Sequence, residues 1–502
     1  MITRREIKMA FAGIVLLIAG AWMIARSHGP MRDTRSAGAA VRILQPTRSP
    51  QIGAAVVLHG LSANRIIMQN LGQWLAAQGF RVYLVDAPGH GDTPGHFSNA
   101  ETLDSTLGVL SELLRSGQID PQTTIFVGHS MGGEIAIRLA DYFPAVATVA
   151  LSPAPMILPR RVPFNLLVIG AQFDLPPLKE IAERLVRGAH GPRISPDDFR
   201  QRHAAEKIVM PWDSHGSLIM NSRVFAATAG WARMAIGLTG PPYDPPGAPL
   251  LGEASGIAGL VLLFPMAATL IVTSLQAQRL TAGMAAIHSA ARSPARRLLY
   301  WGIAAIIGVG AVSFWDPQRI LPLYTGGYLV CFLLITGVLL LLLLKPPLDS
   351  AFHEAFRAVA AGSILAILVV FFFGAWVHWQ LSDVWIHGTR WFYLVPLLLM
   401  SLPYLFAEEL ALGPPDPSRR MKRWGMYFLL RLILWLALLS GILVLWSGQV
   451  LLALLAPYFL IGSLGQRLGA DWLRRHTGSP AAAAIFSAIL AAWFMAAVFP
   501  LA

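Results

Sequence analysis

Residues 123–140 read TTIFVGHSMGGEIAIRLA. Thr123 to Val127 form a short run of β-branched and aromatic residues, of the kind that fills a buried strand. From Glu134 onward the apolar residues take helical spacing. Between the two sits Gly128-His129-Ser130-Met131-Gly132, a serine on the corner from strand to helix. In that context G-x-S-x-G holds the serine in a strained turn with its hydroxyl exposed above the sheet. Side chains at the flanking positions would collide with strand and helix, so glycine occupies them. The helix beyond points unpaired N–H groups at a developing oxyanion, and the Met131 amide is the expected donor.

The same alternation runs outward from residue 40 to residue 237. VRIL, AAVVLHG, FRVYLVD, TTIFVGHS, VATVALS and FNLLVIG read as buried parallel strands, and the intervening stretches Ile67 to Gln78, Leu103 to Arg115 and Glu134 to Tyr142 as helices. Strand and helix in alternation, joined by short loops, predict an α/β fold with a mostly parallel sheet.

Three further stretches carry candidate partners for the serine. In VVLHGLSANR, residues 56–65, a strand ends in His59-Gly60, and the Leu61 amide is placed to be a second oxyanion donor; His59 itself reads as a structural loop histidine. In FNLLVIGAQFDLPP, residues 164–177, Asp174 lies just past a strand's carboxyl end, where functional residues of open α/β sheets gather. A carboxylate there can orient a histidine. Asp213 is the rival acid, ahead of Asp197 and Asp198. In MPWDSHGSLIMNSRVF, residues 210–225, His215 sits in a loop between the short strand KIVM and a helix, so the chain order is Ser130, Asp174, His215.

The rest of the chain has a different composition. Of 502 residues, 55% are hydrophobic and 13% charged, and mean hydropathy is +0.56. Soluble domains carry about 25% charge, so this composition is that of a membrane protein. An apolar run at residues 9–25 follows Arg4, Arg5 and Lys8, and reads as an uncleaved signal anchor in preference to a cleavable signal peptide. After the proline-dense stretch 237–256, eight runs of spanning length follow, at about 257–275, 298–315, 322–344, 358–378, 391–407, 425–446, 449–465 and 481–500. The formal net charge of +12 sits largely in short arginine clusters between these runs, which is topology signal and contact with anionic lipid. No basic stripe with interleaved aromatics argues for nucleic acid. The single cysteine, Cys331, excludes an intrachain disulfide and a thiolate metal cluster.

Charge bias sets the expected orientation. With the N-terminus cytoplasmic, the inner segments hold Arg4, Arg5 and Lys8; Arg279, Arg292, Arg296 and Arg297; Lys345 and Arg357; Arg419, Arg420, Lys422 and Arg423; and Arg467, Arg474 and Arg475. The short outer loops hold only Arg319 and Arg390. The segment bearing Ser130 is then extracytoplasmic. The outer loop 376–393, WVHWQLSDVWIHGTRWFY, has the aromatic content of a membrane interface. In the apolar half, Arg431 is expected to snorkel, and Glu408 and Glu409 to be capped and solvated.

HGLSANRIIMQNLGQWLAAQGFRVYLVDAPGHGDTPG, residues 59–95, followed by GHSMGG, resembles the α/β-hydrolase superfamily in its monoacylglycerol lipase, lysophospholipase and serine aminopeptidase-like branch. That branch shows His-Gly, a helix, then a strand ending in Asp-x-x-Gly-His-Gly; here the last element is Asp86-Ala87-Pro88-Gly89-His90-Gly91. The resemblance covers roughly residues 40–237. It implies the α/β-hydrolase fold, a triad of Ser130 (nucleophile), Asp174 (acid) and His215 (base), and hydrolysis of an ester, thioester or amide with no metal or organic cofactor. Only Pro153 to Pro163 fills the place of the family's helical cap, so a large cap is not expected, and Lys179 to Arg202 is the remaining candidate to cover the site.

The expected organisation is a membrane anchor at 1–35, an α/β-hydrolase domain at 36–240, a proline-rich linker at 241–256 and an all-α transmembrane domain of about eight helices at 257–502. The expected function is that of a multi-pass membrane serine hydrolase acting on acyl esters of lipid or lipid-like molecules, in contact with membrane lipids. The alternatives are a peptidase or esterase for soluble extracytoplasmic substrates, and a non-catalytic transporter or assembly component.

Overall fold

A computed structural model describes residues 2–48, 50–155, 158–245, 247–277, 293–315, 317, 320–345, 356–445 and 447–502. Arg279, Arg292 and Arg319 of the charge count lie outside the described residues. The chain forms two compact units. One holds residues 17–256, 376–388 and 500–502; the other holds 1–16, 257–375 and 389–499.

The first unit is built on eight strands: β1 (Met31–Ser36), β2 (Ala39–Leu44), β3 (Gly53–Leu58), β4 (Phe80–Val85), β5 (Thr124–His129), β6 (Ala147–Leu151), β7 (Leu166–Ala171) and β8 (Ala205–Met210). Their order in the sheet is β1-β2-β4-β3-β5-β6-β7-β8. From β4 to β8 the neighbours are parallel, and β1 and β2 join antiparallel at one edge. The expected mostly parallel sheet is therefore present. The central strands are buried on both faces because alternate side chains feed two cores. Ala55, Val57, Ile125, Val127 and Val149 point into one, and Ala54, Val56, Tyr83 and Phe126 into the other. This is why these strands read as continuous apolar runs.

Strand β1, MRDTRS, was not expected. It carries no apolar alternation, and its middle residues are exposed. It forms through its hairpin with β2, turning at Ala37–Gly38, both at positive φ. Asp33 lies opposite Arg42 in register and pairs with it at 2.7 Å. Polar edge strands of this kind resist further strand addition.

Between β6 and β7 no helix forms among the described residues, as expected for a site without a large cap. The stretch after Asp174 is a helix, Pro176–Gly188, and a short helix, Pro196–Arg200. The apolar side of the longer one, Ile181, Ala182, Leu185 and Val186, packs against Ala150, Leu166 and Val168 on the sheet face.

Among the described residues nine helices are long and apolar enough to cross a membrane. They are Arg4–Ser27, Pro249–Ser274, Pro294–Ser313, Gly326–Leu344, Phe356–Gln380, Trp391–Leu412, Arg420–Leu443, Val450–Thr477 and Pro480–Val498. The long run from 425 to 465 is two helices, separated near Gly448 at φ 74°; Pro457 lies inside the second. The expectation of solvated glutamates fails. Glu408 and Glu409 are 3% and 1% exposed. Glu408 pairs with Arg431 at 2.8 Å, so Arg431 is ion-paired. Glu409 pairs with Arg474 at 2.9 Å and also with Arg467. Charges inside an apolar helical unit are costly unless paired, and these are.

Candidate active site

The carboxyl ends of β3, β5, β6, β7 and β8 bring the candidate residues together. Ser130 follows β5 with φ 54° and ψ −117°, a conformation that residues with side chains rarely adopt. Neighbouring backbone holds it there. The Ser130 amide donates to the Leu151 carbonyl at 2.9 Å, and its own carbonyl accepts from the Glu134 and Ala154 amides, each at 3.0 Å. The corner needs Gly132 because a Cβ there would strike the carbonyls of Leu58 and His59. The turn after β3 also comes close: a Cβ on Gly60 would stand 3.1 Å from Ser130 Cβ. Gly60 and Ala63 close that turn through a 3.1 Å hydrogen bond, with Ser62 at φ 60°. Among the described residues, neither the Leu61 nor the Met131 amide meets a hydrogen-bond acceptor, as donors reserved for an oxyanion must be.

Asp174 sits one turn beyond β7 and is 5% exposed. Its Oδ2 accepts from the Ala171 amide at 2.8 Å and from the Ser152 hydroxyl. Its Oδ1 faces His215 Nδ1 at 3.1 Å. Burial pushes this carboxyl up, but the hydrogen bonds from His215, Ser152 and Ala171 outweigh it and hold the group below the usual carboxylate range.

His215 is held from a second side by His129. The His129 Nε2 lies 2.9 Å from the His215 carbonyl, and the two rings are 4.8 Å apart. Burial, together with the neighbouring His215, pushes the His129 imidazole down to about 3, so it is neutral and its Nε2–H donates. With Nδ1 turned to Asp174, the Nε2 of His215 is the nitrogen available for proton transfer. Among the described residues no hydrogen bond joins Ser130 Oγ to His215 Nε2; the two residues meet through His129, which precedes the serine. Such contacts often tighten only when substrate is bound.

The rival acids have other tasks. Asp213 accepts from Ser217 Oγ at 2.6 Å and from Asn221, closing the loop that carries His215. Asp198 completes a capping box with Ser195, and Asp197 is an exposed partner of Arg200. His59 is structural: its Nε2 accepts from the Ala87 amide at 3.0 Å, so Nδ1 carries the proton and donates to Gly60 O at 2.8 Å. Ser152 and His129 were not singled out in the sequence. Ser152 had a signal, since it ends the strand VATVALS beside the strand that leads to Asp174.

One other polar cluster brings potential metal ligands together. Ligand atoms of Asp92, Asp383 and His387 lie within 4.8 Å of one another. The ring nitrogens of His387 are each taken by a carboxylate, Asp92 Oδ1 at 2.8 Å from Nδ1 and Asp383 Oδ2 at 3.0 Å from Nε2. Burial alone would lower the imidazole; the two carboxylates overcome it and push it up to about 9. The arrangement is that of an imidazolium between two anions.

Residues 49–219 match the family model described as serine aminopeptidase, S33. The pimeloyl-[acyl-carrier protein] methyl ester esterase of Aeromonas salmonicida is 33% identical over 162 residues, covering 30% of this chain and 59% of that one. Cutinase est2 of Thermobifida alba is 30% identical over 138 residues, covering 26% and 45% respectively. The chain thus spans about half the length of these curated relatives. The solved structure of XC6422 from Xanthomonas campestris, described as an α/β serine hydrolase without lid, aligns over 42% of this chain and 95% of its own at 16% identity, with a TM-score of 0.32. The eight-stranded, mostly parallel sheet is that of an α/β-hydrolase fold, and within it residues 49–219 are similar to the serine aminopeptidase S33-like group.

Proposed function

We propose that the protein is a membrane-embedded serine hydrolase that cleaves acyl esters of lipid or lipid-like molecules through Ser130, His215 and Asp174. The observation that carries this reading is the strained Ser130 at the carboxyl edge of β5, preceded by His129, which touches a His215 whose Nδ1 is held by the buried Asp174. His215 Nε2 takes the proton of Ser130 Oγ as that oxygen attacks the acyl carbonyl. The Leu61 and Met131 amides receive the oxyanion. Asp174 keeps the imidazole in the tautomer that can accept this proton and stabilises the imidazolium. His215 returns the proton to the leaving alkoxide, the acyl–oxygen bond breaks, and a water repeats the sequence on the acyl-enzyme.

The organisation in this proposal is an anchor at 1–35, a hydrolase domain at 36–240, a linker at 241–256 and membrane helices at 257–502, with the N-terminus cytoplasmic and the hydrolase domain outside. The esterase and cutinase relatives support ester over amide substrates, and the apolar helices support a substrate met at the bilayer. The test is a series of p-nitrophenyl esters of increasing chain length, assayed beside aminoacyl amides on detergent-solubilised protein. Preference for acyl esters supports the proposal. Turnover confined to aminoacyl amides would replace it with a peptidase.

A further inference from the structure

Residues 381–388, LSDVWIHG, lie in sequence between two long apolar helices, Phe356–Gln380 and Trp391–Leu412, yet they belong to the compact unit that holds Ser130. Their attachment is polar and buried. Gln380 is 0% exposed; its Oε1 accepts from Gln69 Nε2 at 2.6 Å, and its own Nε2 donates to Asn70 Oδ1 at 2.8 Å and Gln73 Oε1 at 3.1 Å. Asn64 accepts from the Asp383 amide at 2.9 Å, and its Nδ2 donates to the Asp383 carbonyl at 3.0 Å and Ser382 Oγ at 3.1 Å. The fourth bond of Asn64 accepts the Ile66 amide at 3.1 Å and caps the helical turn Arg65–Met68. Asp383 takes His378 Nδ1 and His387 Nε2, each at 3.0 Å. His387 reaches on to Asp92, which pairs with Arg65 at 2.5 Å.

Asn64 and Arg65 directly follow the turn Gly60–Ala63, which approaches the serine at Gly60 and carries the Leu61 amide. An oxyanion donor works only if held to fractions of an ångström, and loops hold such positions poorly unless anchored. Three of the four hydrogen bonds of Asn64 go to Ser382 and Asp383. Breaking one member of a buried network strands its partners, so the set acts together.

We propose that segment 376–388 is a clamp that positions the oxyanion turn Gly60–Ala63, with Asn64 and His387 as positioning residues. The hydrolase site is then completed by a segment that, in sequence, joins two of the apolar helices. The inference rests on reading Ser130 as the nucleophile and Leu61 as an oxyanion donor. A metal at Asp92, Asp383 and His387 fits less well, because the carboxylates lie on opposite edges of the ring.

The test uses full-length protein in detergent: wild type, Asn64→Ala, His387→Ala and His387→Lys. The readouts are kcat and KM for p-nitrophenyl butyrate and the rate of fluorophosphonate labelling. A displaced oxyanion donor should lower kcat and labelling about 10- to 100-fold in Asn64→Ala and His387→Ala. KM should stay within about threefold, because the loss is in the transition state. His387→Lys, which keeps a cation between the two carboxylates, should recover most of the rate. Should Asn64→Ala fail to fold, the two His387 variants decide. Folded variants with kcat within about threefold of wild type would overturn the clamp. Absence of labelling in wild type would instead remove the nucleophile reading on which the clamp rests.

Discussion

Replacing Asp174 by asparagine tests the proposed chemistry without changing the shape of the site. The carboxylate serves two sides at once: Oδ2 accepts from the Ala171 amide and the Ser152 hydroxyl, and Oδ1 accepts from His215 Nδ1. An asparagine has one acceptor oxygen and one donor nitrogen. Two donors, one of them a fixed backbone N–H, require the oxygen on the Ala171 side. The amide nitrogen must then face His215 and donate to Nδ1. That forces the proton of a neutral imidazole onto Nε2, the atom that should accept from Ser130. The expected loss is about 10⁴-fold in kcat, as in other triads given the wrong tautomer, or roughly 5.5 kcal/mol of transition-state stabilisation. KM should change little. The assay is steady-state hydrolysis of a short p-nitrophenyl ester, with Asp213→Asn as the comparison. Retention of more than about a tenth of the activity by Asp174→Asn would refute the reasoning. An equal collapse in Asp213→Asn alone would transfer the role to Asp213.

Three other outcomes are expected. Gly132→Ala drives a Cβ into the carbonyls of Leu58 and His59; it should abolish fluorophosphonate labelling and cost about 1–3 kcal/mol of stability, read as a lowered melting temperature of the solubilised protein. Glu409→Gln removes the buried anion that pairs with Arg474 and leaves Arg467 with Asp471 alone; it should destabilise the protein by about 3–5 kcal/mol, visible as loss of monodisperse material after solubilisation. The third concerns pH. His387, faced by Asp92 and Asp383 with Arg65 and His378 beyond them, is raised to about 9 in the folded state. A raised pKa means its contribution to stability is complete below the ordinary histidine value of about 6.5 and is lost as pH rises through about 9. The melting temperature of wild type should fall across that interval, and His387→Gln should flatten the decline.

The sheet and the candidate site were legible for different reasons. The central strands announce themselves because both faces are buried, and the corner at Ser130 does so because the packed backbone admits only glycine at 128 and 132. Asp174 and His215 stand out as candidates by their places at strand ends and their order in the chain. Strand β1 was invisible because a polar edge strand has no burial pattern to read. Glu408 and Glu409 were misread because a sequence shows the charge and not the arginines that fold brings to it. The contacts of Asn64 with Ser382 and Asp383 span more than 300 positions, and no local pattern marks such a pair. Ser152 and His129 lie between: each is adjacent to a recognisable motif, but their partners are set by the packing of neighbouring strand ends.

The most direct test of the account is fluorophosphonate labelling of the full-length protein, with wild type beside Ser130→Ala and His215→Ala. The account predicts a covalent adduct on wild type, mapped to Ser130, and none on either variant. Well-folded wild type that takes no label, or a Ser130→Ala protein labelled as readily as wild type, would contradict it.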